Sequence, residues 1–277
     1  MMRLREVVVP ALVLALGVTF SSTGCSRLTF VKPTSKMVRV SEPKSQYSVA
    51  DSAATKQRLG TQDRLALAAQ RLRSGDLVAA EREARVVLKS QPDSADANSL
   101  LAVVMDQRGN AAEAGAYYKR AAELAPADGS ALNNYGAWLC TNGSPAEALV
   151  WFDRALKDPR YQTPASALAN AGGCALKVGQ YQRAERDLRS ALVLDPTNRY
   201  ALASMAESEY QAGRYFEARA FTERRLAAAP ANPAVLQLAY NIEARLGDNA
   251  AASRYAQRLK AEFPDSGAAN PGERTKP

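Results

Sequence analysis

The chain has 277 residues, 47% of them hydrophobic, and carries 36 Lys and Arg against 28 Asp and Glu for a net charge of +8. It contains no histidine, which excludes a His-dependent triad, a His-containing zinc-hydrolase motif and imidazole acid–base chemistry. Nine basic and three acidic residues precede residue 59, leaving 27 basic against 25 acidic beyond it, so the folded part offers no basic stripe for nucleic acid.

Residues 1–24 read as a lipoprotein signal peptide. Met-Met-Arg-Leu-Arg opens the chain, and the apolar run Val7–Phe20 follows, broken only by Pro10, Gly17 and Thr19. That run is shorter than the roughly 20 apolar residues a membrane span needs. A positive start, a short apolar run and a small-residue exit describe a secretory signal. The exit, Ser21-Ser-Thr-Gly-Cys25, is similar to a bacterial lipobox, in which the cysteine is acylated and becomes the first residue of the mature chain. It departs from that motif at Ser22, where Leu is preferred; an ordinary cleaved signal with an incidental thiol is the alternative. Ser26 stands where Asp would commonly retain a lipoprotein at the inner membrane, which implies an outer-membrane anchor for Cys25.

Residues 25–58 are rich in Ser, Thr, Pro and Lys, include Pro33 and Pro43, and show no sustained helical period. They read as a flexible basic tether. Its charges either attract anionic head groups beside the anchor or simply keep a linker soluble.

From residue 59 the chain becomes periodic. Gly75, Gly109, Gly143, Gly179, Gly213 and Gly247 each fall five residues before an alanine: Ala80, Ala114, Ala148, Ala184, Ala218 and Ala252. Pro92, Pro126, Pro196, Pro230 and Pro264 close most units in the same register. A period of about 34 with those small residues is the signature of the tetratricopeptide repeat, a helix–turn–helix unit. Each glycine should sit in the turn between helix A and helix B, and each alanine where the two helices press together. Tyr118, Phe152 and Leu188 share one helix B position and should fill core space, with Ala121, Ala155 and Ala191 three residues on. Repeats are expected to begin near residues 61, 95, 129, 165, 199 and 233. The expected fold is all-α, a right-handed superhelical solenoid of six tetratricopeptide repeats over 59–264, with a disordered tail over 265–277.

Three features interrupt the rhythm. Asp158-Pro-Arg-Tyr-Gln-Thr-Pro164 makes the third repeat two residues longer, as a tolerated loop insertion or as a protrusion toward a partner. Cys140 and Cys174 fall late in helix A of the third and fourth repeats. Adjacent A helices lie side by side and export makes a disulfide permissible, so the pair is either bonded or two buried small hydrophobes. The paired glycines of Asn170-Ala-Gly-Gly-Cys174 lie inside a helix A, at the repeat's small-residue position, and not in a phosphate loop.

The stretch Asn133-Asn-Tyr-Gly136, Trp138-Leu-Cys140, Trp151-Phe-Asp-Arg-Ala-Leu156, Asp158-Pro-Arg-Tyr161 and Ala167–Cys174 resembles the PilW/PilF type IV pilus biogenesis and stability proteins, as does the final helix, Ala251–Lys260. The resemblance spans roughly 59–264. It implies an outer-membrane lipoprotein, facing the periplasm, that acts as a pilotin: it helps the type IV pilus secretin reach and assemble in the outer membrane. No enzyme activity, cofactor, metal, nucleic acid or small-molecule substrate is expected.

Helix A positions two, five, nine, twelve and thirteen should line a concave, partner-binding face. In the first two repeats these include Leu65, Ala69, Leu72, Val103, Asp106 and Gln107, an apolar strip bordered by polar groups. In repeats five and six the same positions include Glu207, Tyr210, Gln211, Gln237, Asn241 and Arg245, a more polar surface. The apolar partner contact is therefore expected toward the amino-terminal repeats, unless Leu65 and Leu72 merely close the solenoid's first turn. Another periplasmic repeat lipoprotein, acting as an envelope-assembly adaptor or a general chaperone, is the alternative reading.

Overall fold

A computed structural model describes residues 52–266; the expected signal peptide, Cys25, most of the tether and residues 267–277 lie outside that range. The described residues form twelve helices and no strand. They pair as α1 (Ala53–Arg73) with α2 (Leu77–Ser90), α3 (Ala95–Gln107) with α4 (Ala111–Leu124), and α5 (Gly129–Thr141) with α6 (Pro145–Ala155). The series continues with α7 (Pro164–Lys177) and α8 (Tyr181–Leu194), α9 (Arg199–Gln211) and α10 (Tyr215–Ala228), and α11 (Pro233–Leu246) and α12 (Asn249–Glu262). The result is an all-α repeat solenoid of six helix pairs.

Five of the six repeats start within a residue of the expected points. The first starts early: α1 begins at Ala53, inside the segment expected to be tether. Ser52 explains the start, because its side chain accepts from the backbone N–H of Thr55 and caps the helix. Residues 53–60 are almost wholly exposed, so they carry no apolar stripe that periodicity could reveal.

Each helix-to-helix turn depends on its glycine. All six adopt positive φ, between +72° and +94°, and no other described residue does. A side chain there would be strained even though open space surrounds the position. The turn then delivers the recurring alanine against the preceding helix. Ala80, Ala114, Ala148, Ala184 and Ala218 are wholly buried, and Ala252 nearly so. One helical turn later stand Ala84, Tyr118, Phe152, Leu188 and Thr222, all buried. The main hydrophobic cluster runs unbroken from Ala80 to Ala184, across the first four repeats.

The odd-numbered helices touch their odd neighbours, whereas among the described residues no two even-numbered helices meet. The strip therefore curves with α1, α3, α5, α7, α9 and α11 on its inner side. That places the A helices on the concave face.

The longer third repeat folds back on itself. Tyr161 is buried against Gly129, where any side chain would collide with its ring. Asp158 accepts from the N–H of Gly129 (3.0 Å) through one carboxylate oxygen and from that of Arg160 (2.9 Å) through the other. These bonds, that of Gly129 foremost, hold its carboxyl below the usual carboxylate range. Cys140 and Cys174 form a disulfide joining α5 to α7, with Cα atoms 5.9 Å apart. It spans the same junction as the insertion.

Two measurements follow from this junction. Asn cannot accept through both side-chain heads, so Asp158→Asn should lower the melting temperature at neutral pH. A folded value below the unfolded one, about 3.9, means the stabilisation is present above that pH and is lost as pH falls through the depressed folded value. The gap between wild type and variant should close below about pH 4; a gap unchanged from pH 6 to pH 3 would remove the charge from the explanation. Replacing both Cys140 and Cys174 by Ser should cost about 2–4 kcal/mol in denaturant unfolding. Alkylation of native protein without reduction should label neither cysteine, and two labelled thiols would leave only packing.

Candidate functional site

The concave face holds an apolar hollow at each end. The first, about 360 Å³, lies between α1, α3 and α5 and is lined by Leu65, Ala69, Ser99, Leu100, Val103 and Asn134. Asp96 and Asp128 border it. Asp128 is partly committed, since its carboxylate also caps α5 by accepting from the N–H groups of Ser130 and Ala131. An apolar floor with an acidic border suits the apolar face of a peptide that carries positive charge at its edges.

Of the six residues expected on this face, Leu65, Ala69 and Val103 come together here. Leu72 does not: it is half-buried and packs on the main core. Leu72 shares nearly the same helix face as Leu65 but stands seven residues, about 10 Å, further along α1, which carries it past the end of the hollow. Asp106 and Gln107 are exposed at the end of α3 and do not line the hollow. Asp106 instead lies near Tyr118, whose hydroxyl is pushed up to about 12 by burial first and by that carboxylate second.

The second hollow, about 410 Å³, lies among α7, α9, α10 and α11. Leu176, Tyr200, Ala203, Val235 and Leu238 supply its apolar surface. Glu207 and Gln211 line it, as the position rule expects, and are hydrogen-bonded to each other at 2.8 Å. Gln237 and Asn241 pair at 3.0 Å, and Tyr210 packs against the core. The carboxy-terminal repeats are thus less polar than expected. The signal lies in Tyr200 and Ala203, which occupy positions two and five of α9. Gly173 makes room for Tyr200, since a side chain there would run into its ring. Gly172 does the same for Leu188, which gives the paired glycines a packing role on both sides.

The middle of the solenoid is a structural block. Tyr135 meets Trp151 edge-on at 4.8 Å and stacks with Trp138 at 6.1 Å. The Trp138 indole donates to the carbonyl of Ala111 at 3.1 Å, tying α5 to the preceding repeat. Asn170 Nδ2 donates to Asn133 Oδ1 at 3.0 Å, tying α5 to α7.

Family models described as tetratricopeptide repeat match residues 65–129 and 175–242. The chain is 26% identical over 195 residues to the type IV pilus assembly protein PilF of Pseudomonas aeruginosa, covering 70% of this chain and 77% of that protein. It is also similar to the crystal structure of PilW, described as a widely conserved type IV pilus biogenesis factor, with TM-score 0.69 and 29% identity, covering 76% of this chain and 96% of the other. The solved structure of Pseudomonas aeruginosa PilF shares the fold, with TM-score 0.68 at 24% identity over 77% and 96% of the two chains.

Leu65 and Leu72 should now behave differently. Leu65→Glu places a carboxylate in an open hollow and should leave the helical circular dichroism and melting temperature close to wild type. Leu72→Glu puts one against the core and should cost about 1–3 kcal/mol in thermal unfolding. Equal losses would place both side chains in the core.

Proposed function

This chain is a tetratricopeptide-repeat protein of the PilW/PilF-like family, and we propose that it is a pilotin for the type IV pilus secretin. Acylated Cys25 anchors it to the outer membrane with the solenoid in the periplasm. The concave face binds a segment of a secretin subunit, and the lipid-sorting route carries both to the outer membrane, where the secretin multimerises. The observation that carries this reading is the similarity to PilW, which extends over 96% of that chain rather than over a few generic repeats. The Cys140–Cys174 disulfide supports an oxidising compartment, since such bonds are rare in reducing ones. The amino-terminal hollow supports a peptide partner, because its floor is apolar and its border acidic.

Anchoring is tested at one atom. Cys25→Ser should abolish labelling by a metabolically supplied fatty acid and release the protein from the outer membrane. A basic segment alone gives only weak, reversible attachment. Secretin multimers should fall or appear in the wrong membrane. Equal fatty-acid label in wild type and Cys25→Ser would overturn the lipobox reading, and undiminished multimers after deletion of the whole chain would overturn the pilotin.

A further inference from the structure

The repeats act as controls for one another, and one position breaks the pattern. Seven residues after the recurring alanine stand Val87, Ala121, Ala155, Ala191, Arg225 and Leu259. Five of these are buried apolar side chains. The fifth repeat places an arginine there instead, and it too is buried, at 6% exposure. One turn earlier, the position of Tyr118, Phe152 and Leu188 is Thr222, also buried. The fifth repeat has exchanged core for a cation.

A buried charge is costly unless paired. The chain observes this elsewhere: Glu83, Asp187, Glu209 and Glu243 are the buried carboxylates among the described residues, and each has an arginine partner. Arg225 is the buried cation of the set, and among the described residues it has no carboxylate within reach. Its Nη1 donates to the carbonyls of Ala229 (3.1 Å) and Pro230 (3.3 Å), closing the end of α10. That uses one nitrogen of a five-donor fork and leaves the charge uncompensated. Burial first, and Arg199 second, push the guanidinium below its ordinary value. Arg225 also lines the second hollow.

We propose that the carboxy-terminal hollow is a second docking site, and that it takes an acidic side chain of a partner peptide between apolar neighbours, with the carboxylate on Arg225 and the apolar groups on Leu176, Val235 and Leu238. Charge complementarity selects the carboxylate. Lys177, whose ammonium donates to the carbonyl of Cys140, adds positive charge, so the lining carries two cations against the single carboxylate of Glu207, which accepts from Gln211. A side chain is favoured over a chain end because the concave surface does not stop here. Tyr200 separates this hollow from a neighbouring one of about 410 Å³ bordered by Asn170, Asn198 and Arg199, so a chain passes across the site. The site does not depend on which protein occupies the amino-terminal hollow.

The test uses the purified full chain and two libraries of blocked, fluorescein-labelled nonapeptides. Both carry Leu, Ile, Val or Phe beside the central residue and Gly or Ser elsewhere; one has Glu at the centre and the other Gln. Anisotropy should show the Glu library binding at least about tenfold tighter at low salt, the equivalent of one charge-assisted contact. Arg225→Gln should erase that preference. Ala203→Leu, which fills the hollow and keeps Arg225, should abolish binding of both libraries while preserving the melting temperature, so the outcome does not hang on Arg225→Gln folding. Equal binding of the two libraries, undiminished binding by Ala203→Leu, or no binding by wild type would overturn the proposal. Binding that appears only after removal of residues 267–277 would also overturn it, by making the chain's own tail the occupant.

Discussion

The distance between two packed helices is set by the side chains at their crossing, and here that distance is fixed by alanine. A helix pair with Ala80, Ala114, Ala148, Ala184 or Ala218 at the crossing brings its backbones close, and in the second, third and fourth repeats one large residue a turn later, Tyr118, Phe152 or Leu188, closes the core. The glycine five residues earlier serves the same end, because only a left-handed turn returns helix B at that angle. Turn, crossing and core position thus form one unit, and its repetition is the solenoid. Ion pairs between repeats, such as Arg120 with Asp93 and Arg183 with Asp153, each at 2.6 Å, stitch successive units at their surface. They explain the near-balanced charge of the folded part better than they explain its stability, since exposed pairs contribute little.

This division leaves the A helices free on one side. Their buried face is committed to helix B, while the opposite face lines the inner curve and needs no self-partner. Where small and apolar residues collect on that face, the curve opens into hollows, at α1, α3 and α5 and again at α7, α9 and α11. Binding capacity in such a fold comes from residues that packing does not use. Leu65 belongs to that class, Tyr200 packs on Gly173 while also lining its hollow, and Leu72 is used by the core.

The features written in period were legible in the sequence, because period is what a repeat core imposes. The glycine turns, the alanine crossings and five of six repeat starts were read that way. The start of α1 was not, since its first two turns pack against nothing and carry no stripe; only the Ser52 cap marked it. Leu72 shares the face of Leu65, and what a position rule does not show is how far along α1 the hollow extends. The Asp158–Pro164 segment showed its length but not its direction, which depends on Tyr161 finding Gly129 across 32 residues. Arg225 stands at the position of Ala121, Ala155 and Ala191, so the departure is legible in the repeat period, whereas its burial depends on the packing around it.

A linear stack transmits shape only through neighbouring junctions, so one loose junction decouples the two ends. The junction between the third and fourth repeats is the weak point by length, since two extra residues there remove the constraint of a short turn. It is also the most heavily tied. Cys140–Cys174 and Asn133–Asn170 join α5 to α7, and Tyr161 and Asp158 lock the longer loop onto the start of α5. Aromatic packing of Tyr135, Trp138 and Trp151 stiffens the repeat on the amino-terminal side. These tying residues all fall within the stretch that resembles the pilus proteins, and none of them lines either hollow. Their common effect is to hold fixed the spacing between the two hollows. A partner contacting both would then meet a preset distance, with no ordering of the scaffold to oppose binding.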